Sequence, residues 1–395
     1  MSSFESEKFN PNISYFAKSN FRENGTTFGI YQSDRLFHKY LIGKTGAGKS
    51  TVLKNLIYQD ILHSRGLCVF DIHNDLIPSI LNELPINKQS KIIYLDLTNP
   101  DLKFGYNPLR HVSYNKRSLV ASGLLESFKK IWGTKSWGPK MEHILRSTIL
   151  SLLDQPKATI ADIRKILLDE KFRQQCIPNI QNKELQDFWV TEFPMLSKND
   201  LLPILNKVTA LLAHPVLRNF LIEPKEQLSL RSIMDKGNVF LVNISRGHLG
   251  TDASYLIGSL ILNALSSAAF SRTDIAENKR RPFFIYMDEF QFYTNPTLIE
   301  MLAELRKFKI GIICANQYLS QISAEIRDAL LGNIGTFIAF RLSQQDSKFM
   351  AHEFYPIFHH ADFTALANYD IYLRLMINGK PSQPFSATTL SFPLK

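Results

Sequence analysis

The chain has 395 residues, 45% hydrophobic and 21% charged, enough apolar material for a large core and for more than one domain. Its formal charge of +10 favours a polyanionic partner without identifying one, a solvated basic surface being the plain alternative. Three scattered cysteines, Cys68, Cys176 and Cys314, exclude a disulfide framework and offer no paired zinc spacing. With no apolar leader at the N-terminus, the expectation is a reducing, cytoplasmic compartment.

Residues 1–27 are polar and aromatic without periodicity and read as a flexible arm, and Phe28–Tyr31 reads as a short strand. Tyr40–Ile42 is an apolar strand that delivers the chain to Gly43-Lys44-Thr45-Gly46-Ala47-Gly48-Lys49-Ser50-Thr51. Gly43 to Ser50 fits G-x-x-x-x-G-K-[ST], the phosphate-binding P-loop. Gly43, Gly46 and Gly48 let the backbone take positive φ and approach phosphate oxygens without a Cβ in the way. The loop's N–H groups and the following helix N-terminus hold the anion. Lys49 is placed to reach the β- and γ-phosphates and Ser50 to ligate Mg²⁺. An amphipathic helix follows over 51–59.

Gly66–Asp71 and Lys91–Asp96 are apolar runs ending in a carboxylate, as buried parallel strands do. Strands alternating with helices indicate a parallel α/β sheet, in which ligands bind beyond the carboxyl ends of the strands. From 111 to 235 the strand-like runs stop and apolar residues recur at i, i+3/i+4, as in Leu119-Leu124-Leu125-Phe128-Ile131 and Leu201-Leu205-Val208-Leu211-Leu212. Pro156, Pro178, Pro194, Pro203 and Pro215 punctuate the block, which reads as an all-α insertion. Its first half, 111–175, holds twelve Lys/Arg against six Asp/Glu, either a polyanion face or ordinary solvated helix faces.

Strands resume at Asn238–Ile244. The uncharged stretch 253–271 carries Ser254, Tyr255, Gly258, Ser259, Asn263, Ser266 and Ser267, which is too polar for a membrane span and suits a buried helix. Phe283–Asp288 is an apolar strand ending in Asp288-Glu289, the Walker B pattern: Asp288 to hold Mg²⁺ through its water shell, Glu289 to orient or deprotonate the attacking water. Ile310–Ala315 leads to Asn316-Gln317, where Gln317 could sense the γ-phosphate or an amide could simply cap the strand. Arg306 ends the helix after the acids, and spacing alone leaves it a solvated surface residue or a finger aimed at a neighbour's phosphate. Strands at 336–341, 371–377 and 385–389 follow, with Asn378-Gly379 as a hairpin signal.

Gly-Lys-Thr-Gly-Ala-Gly-Lys-Ser (43–50), Asp-Ile-His-Asn-Asp-Leu (71–76), Tyr-Met-Asp-Glu-Phe (286–290), Leu-Arg-Lys-Phe (305–308), Ala-Asn-Gln-Tyr-Leu-Ser-Gln (315–321) and Phe-Arg-Leu-Ser-Gln-Gln-Asp-Ser (340–347) occur in that order. This ordered set, from about 28 to 390, resembles the HerA/FtsK-type DNA-pumping ATPases, and within them the TraG/TraD-like coupling proteins of conjugation and type IV secretion. The resemblance implies an α/β, RecA-like P-loop NTPase fold with a mainly parallel sheet, the nucleotide-binding domain spanning 1–110 and 236–395 and an all-α domain inserted at 111–235. It implies ATP and Mg²⁺ as cofactors, a homo-hexameric ring, DNA in the pore, and nuclease, relaxase or secretion-machinery partners. It also implies that Arg306 is a trans-acting finger and Gln317 the sensor glutamine.

Two departures stand out. No transmembrane helices precede the motifs, so a membrane location would be peripheral, at the inner membrane through a partner. Ile72 and Asn74 replace the Pro and Gly of the family's Asp-Pro-His-Gly-Asp-Leu. Other P-loop classes fit less well. Asn206-Lys207 continues Val-Thr, not the x-Asp of a GTPase, and the Ser-Gly-Gly of an ABC-type ATPase is absent. A second RecA-like domain has no room, and a nucleotide kinase has no need of the basic helical block. The alternative is an ATP-gated adaptor with slow turnover that recruits a DNA- or protein-transfer complex.

Overall fold

Apolar runs without polar alternation form strands buried on both faces, and six of them occupy the middle of one large sheet. The computed structural model describes residues 10–21, 25–99, 101–110, 112–133, 137–222 and 224–394. In chain order the first strands are β1 (Ile13–Ser19), β2 (Thr27–Tyr31), β3 (Lys39–Ile42), β4 (Gly66–Asp71), β5 (Ile92–Asp96), β6 (Phe104–Gly105) and β7 (Glu226–Gln227). Then come β8 (Val239–Asn243), β9 (Phe283–Met287), β10 (Ile310–Asn316), β11 (Thr336–Ala339), β12 (Asp370–Arg374), β13 (Met376–Ile377), β14 (Lys380–Pro381) and β15 (Phe385–Thr389).

The sheet has eleven strands in the order β2-β1-β15-β12-β11-β3-β10-β9-β4-β8-β5. From β11 to β8 every pairing is parallel, and every residue of those six strands is buried. The register sets Asn316 beside Ile42 and Cys314 beside Met287, so the carboxyl ends of β3, β10 and β9 lie side by side. This is the mainly parallel RecA-like arrangement expected from the sequence.

Beyond β11 the sheet continues antiparallel through β12, β15, β1 and β2. The expectation of a flexible arm over 1–27 is therefore corrected where it can be seen: β1 is an inner strand, and its Phe16 and Ala17 are fully buried. A bulge between Tyr15 and Ala17 breaks the two-residue alternation that would have exposed this strand in the sequence. Residues 1–9 and 22–24 of that expectation lie outside the described residues. Asn378 and Gly379 take φ of 51° and 76° and turn β13 into β14, and the Asp34 carboxylate accepts both of their amides, at 2.8 and 2.9 Å.

Helix α1 (Lys49–Leu62) covers the sheet with Val52, Leu53, Leu56 and Ile57, all fully buried. Its Asp60 sits in the core, where Arg35 meets it with two hydrogen bonds of 2.6 Å and Tyr286 donates a third, also 2.6 Å.

The chain divides into two compact units. The one just described runs to Tyr94 and adds Leu230–Ser245 and Leu265 onwards. The other holds Leu95–Ser229 and Arg246–Ala264 and is helical, except for the short parallel pair β6–β7. Its core joins Phe128, Ile144, Leu145, Ile149 and Leu152, and Trp189 Nε1 donates to Ser151 Oγ at 2.8 Å. Helix Lys198–Ala213 buries Ile204, Val208 and Leu211, so its inner face is turned from the Leu201–Leu205 stripe, and Pro203 lies within it without ending it. Leu119 is half exposed.

The helix Thr251–Phe270, continued by a short turn to Asp274, is long and apolar enough to cross a membrane by length and composition, yet 78% of its most apolar window is buried. One of its polar residues is accounted for: Asn263 donates to the carbonyl of Gly123 at 3.1 Å, on a helix face that Gly123 leaves open.

His38 is buried before β3. Its Nδ1 accepts from Ile312 N–H at 3.0 Å, while Nε2 lies 3.1 Å from the Leu302 carbonyl, so the neutral ring with a proton on Nε2 satisfies both. Burial drives its pKa down to about 4, against the pull of that carbonyl. The folded state then binds fewer protons than the unfolded one between about pH 6.5 and 4. Stability from this group is full above about pH 6.5 and is lost as pH falls through about 4, with a slope of up to about 1.4 kcal/mol per pH unit. Urea unfolding from about pH 7 to about pH 4.5 will show that decline, and His38→Gln will flatten it.

Candidate functional site

The P-loop leaves β3 and enters α1, as the sequence predicts. Gly46 and Gly48 take φ of 75° and 122°, values that favour glycine. Gly43 does not, and here the expectation is corrected: a Cβ on it would lie 2.5 Å from Phe340 Cβ, so close packing is what requires glycine. The loop is braced from β11 and β12: Lys44 N–H donates to Arg341 O at 2.9 Å and Tyr369 N–H to Ala47 O at 2.8 Å. Lys44, Thr45 and Gly46 form the exposed tip, and Thr51 N–H continues the turn to Gly48 O at 3.2 Å. Lys49 folds back over the loop, donating to Gly43 O at 2.6 Å and Lys44 O at 3.2 Å. Burial lowers its pKa, opposed by the charges of Asp288 and Glu289.

The acids follow β9. Asp288 Oδ2 lies 3.4 Å from Ser50 Oγ, and Asp288 Oδ1 accepts from Glu289 N–H at 3.0 Å. Burial, then the neighbouring Glu289 charge, pushes the Asp288 pKa up to about 6. A hydroxyl and a carboxylate face each other in a buried pocket with an excess of negative charge. Mg²⁺ fits such a donor set, since it takes one or two protein oxygens and completes its shell with phosphate and water. Among the described residues no cluster of three or more His, Cys, Asp or Glu forms an all-protein metal cage.

Glu289 sits at φ 50°, ψ 50°, a left-handed conformation that is uncommon for a residue with a Cβ and recurs at functional sites. Gln317 Nε2, just past β10, donates to Glu289 Oε1 at 2.7 Å. Gln291 Nε2 donates to Glu289 Oε2 at 2.6 Å. Gln291 was not singled out in the sequence; its place two residues after the base was the only signal. Asn316 accepts from Tyr40 OH at 2.7 Å and so braces β10 against β3.

Two groups do not join this cluster. Asp71, at the end of β4, accepts the amides of His73, Asn74 and Ile77 and caps the helix that follows. Arg306 is exposed, its guanidinium 3.4 Å from the centre of the Phe37 ring. Phe37 precedes β3, so Arg306 lies at the end of the sheet opposite the P-loop of its own chain. Between the loop tip (Lys44, Thr45), Gln317, Tyr318 and the helix start at Ser343 and Asp346 opens a cleft of about 540 Å³.

In the helical unit part of the basic set of 111–175 is engaged within the protein. Arg117 pairs with Asp154, Lys140 with Asp200 at 2.6 Å and Arg146 with Glu142 at 3.2 Å. Lys165 lies over Phe172 and Arg173 over Phe193. Those side chains give a weaker case for a free polyanion face than their number suggests.

The topology and the loop define a RecA-like P-loop NTPase fold. No protein-family model and no curated protein sequence matches the chain. Among solved structures it is similar to the bacterial conjugative coupling protein TrwBdeltaN70 in its unbound monoclinic form, with TM-score 0.67 and 15% identity over 93% of this chain and 87% of that one. The plasmid coupling protein TrwB in complex with ADP and Mg²⁺ aligns with TM-score 0.67 and 15% identity over 93% and 88%. VirB4 of Thermoanaerobacter pseudethanolicus aligns with TM-score 0.65 and 12% identity over 98% of both chains. At these identities the likeness establishes the fold.

With its carboxyl titrating near pH 6, Asp288 is available to a cation at neutral pH and protonated below. The Mg²⁺ needed for half-maximal binding of a fluorescent ATP analogue will rise roughly tenfold between about pH 7.5 and about pH 5. Asp288→Asn will show a weak requirement that moves less with pH, leaving only the contribution of the nucleotide's own terminal phosphate.

Proposed function

We propose that this chain is a Mg²⁺-dependent ATPase that assembles as a ring, a hexamer by resemblance, and moves DNA. The observation that carries the reading is the contact of Gln317 with Glu289, which ties the candidate sensor strand to the candidate base beside the P-loop. The fold shared with TrwB, a coupling protein whose complexes include one with ADP and Mg²⁺, supports it.

In this reading the loop amides and Lys49 hold the β- and γ-phosphates, and Lys49 leaves the loop carbonyls to do so. Ser50 and Asp288 hold Mg²⁺, which when bound would offset phosphate charge. Glu289 takes a proton from the attacking water. Gln317 bonds either the base or the γ-phosphate and so couples the nucleotide state to β10. Arg306, remote from its own loop, acts on the phosphate of a neighbour. DNA is gripped through its phosphates, so binding falls steeply with salt. The protein works in the cytoplasm, reaching the inner membrane through a partner, with a nuclease, relaxase or secretion machine as client.

One observation favours the adaptor reading. Gln317 is bonded to the Glu289 carboxylate and not free for a phosphate, an arrangement suited to slow basal turnover.

The test is steady-state ATP hydrolysis with and without single- and double-stranded DNA. A motor will be stimulated by its track, and Lys49→Ala and Glu289→Gln will each lower the rate at least about a hundredfold. Turnover that is sensitive to both substitutions but indifferent to DNA would replace the motor with the adaptor.

A further inference from the structure

Glu289 is held from two sides, and only Gln317 has a role in the reading above. The second donor, Gln291, sits in a well-fixed turn. Phe290 is fully buried, with its ring edge-on to Tyr40 at 6.1 Å. Phe292 N–H donates to Glu289 O at 3.1 Å and Tyr293 N–H to Phe290 O at 2.9 Å, and Thr294 Oγ1 donates to the Gln291 carbonyl at 2.9 Å. This turn leaves Gln291 little choice of direction, and its Nε2 meets Glu289 Oε2 at 2.6 Å.

The other end of the same amide is informative. Gln291 Oε1 is buried and has no hydrogen-bond partner among the described residues. Leaving a buried acceptor bare is costly. A flipped amide would instead turn its oxygen toward a carboxylate. The orientation is therefore dictated by Glu289, and it leaves an acceptor in the same amide group that holds the base. Each Glu289 oxygen receives one amide and keeps a lone pair for water. With φ of 50° at Glu289 itself, the carboxylate depends on side-chain partners for its aim.

We propose that Gln291 is a positioning residue for ATP hydrolysis: its amide N–H, fixed on the turn that follows the base, aims the Glu289 carboxylate at the attacking water. The inference rests on Glu289 being the base. No bond forms or breaks at Gln291; the water oxygen bonds to the γ-phosphorus as the bond from that phosphorus to the β,γ-bridging oxygen breaks and ADP leaves, and the water's proton passes to Glu289. Gln317, in contact with the same carboxylate from β10, can then leave for the phosphate without releasing the base, because Gln291 stays on the base's own turn.

The experiment compares Gln291→Ala, Gln291→Glu and Gln291→Met with the wild type in steady-state ATP hydrolysis, in affinity for a fluorescent ATP analogue, and in thermal unfolding. Gln291→Ala is expected to lower kcat about tenfold or more while KM and nucleotide affinity stay within about twofold. Gln291→Glu keeps the shape but replaces the donor with an oxygen and adds a charge beside Glu289, and it is expected to lose at least as much. Gln291→Met, close in size but with neither donor nor added charge, is expected to lose about as much as Gln291→Ala; if Gln291 only filled space, it would keep its rate. Introduced into Glu289→Gln, the alanine substitution is expected to cost less than about twofold further, because it acts through the base. Folded variants with wild-type kcat, beside an inactive Glu289→Gln, would overturn this inference and leave the proposed function standing. A wild type whose hydrolysis ignores Glu289→Gln would overturn both.

Discussion

Asp60 is the fixed point of the unit that carries the large sheet and the P-loop. It lies on α1, the helix that begins at Lys49, and it is bonded to Tyr286 on β9, two residues before Asp288. Arg35 closes the arrangement with two bonds to the carboxylate and one to the tyrosine, its guanidinium 3.7 Å from the centre of the Phe284 ring. Burial alone would raise the Asp60 pKa, but the Arg35 charge and hydrogen bonds outweigh it and hold the carboxylate ionised. Removing one partner from such a buried pair leaves an uncompensated charge, at a cost of about 3–5 kcal/mol. The phosphate loop and the acids facing it are therefore held in register through the core. The charge balance there is narrow: Lys39, beside the pair and fully buried, has its pKa driven well down by burial and by Arg35.

At the other end of α1 the same economy of charge prevails in reverse. Asp288 and Glu289 are adjacent acids in a buried pocket, with Lys49 as the near cation, and Lys49 is turned onto loop carbonyls. A nucleotide with its cation brings both missing partners at once: anionic oxygens for Lys49 and positive charge for the acids. In the reading proposed above the pocket would therefore favour the pair over either component alone, for electrostatic reasons.

What the sequence revealed divides along physical lines. The P-loop, the acids after β9 and Gln317 were legible because each follows an apolar run that can only be a buried parallel strand, and such strands end at the ligand side. β1 was hidden, since its bulge destroys the alternation by which a strand is recognised. Gly43 was recognised as necessary for the wrong reason, because a clash with Phe340, about three hundred positions away, leaves no local trace. Gln291 carries no motif; its importance follows from a left-handed Glu289 that redirects the chain, and φ is not written in the sequence. The basic excess of 111–175, open in the sequence between a polyanion face and solvated helix faces, could not be weighed without the fold. Pairing and stacking decide whether a cation is free, and Arg117, Lys140 and Arg173 have partners only the fold provides.

Arg306 shows how far one chain can complete the chemistry. Stacked on Phe37 at the amino end of β3, it is separated from its own P-loop by the length of that strand. No rotamer of an arginine side chain spans the sheet, so in cis the residue has no route to the phosphate. Yet the cleft beyond Lys44, Thr45 and Gln317 lies open at the loop tip, where a γ-phosphate would project. A further cation supplied there from outside would add to Lys44 at the tip and Lys49 beneath it. The placement of Arg306 away from its own loop and the outward opening of the cleft are the two halves of an argument for assembly. In the ring proposed above, one repeated interface would supply each chain's cleft with its neighbour's arginine, and hydrolysis at each site would then depend on how the two subunits sit against each other.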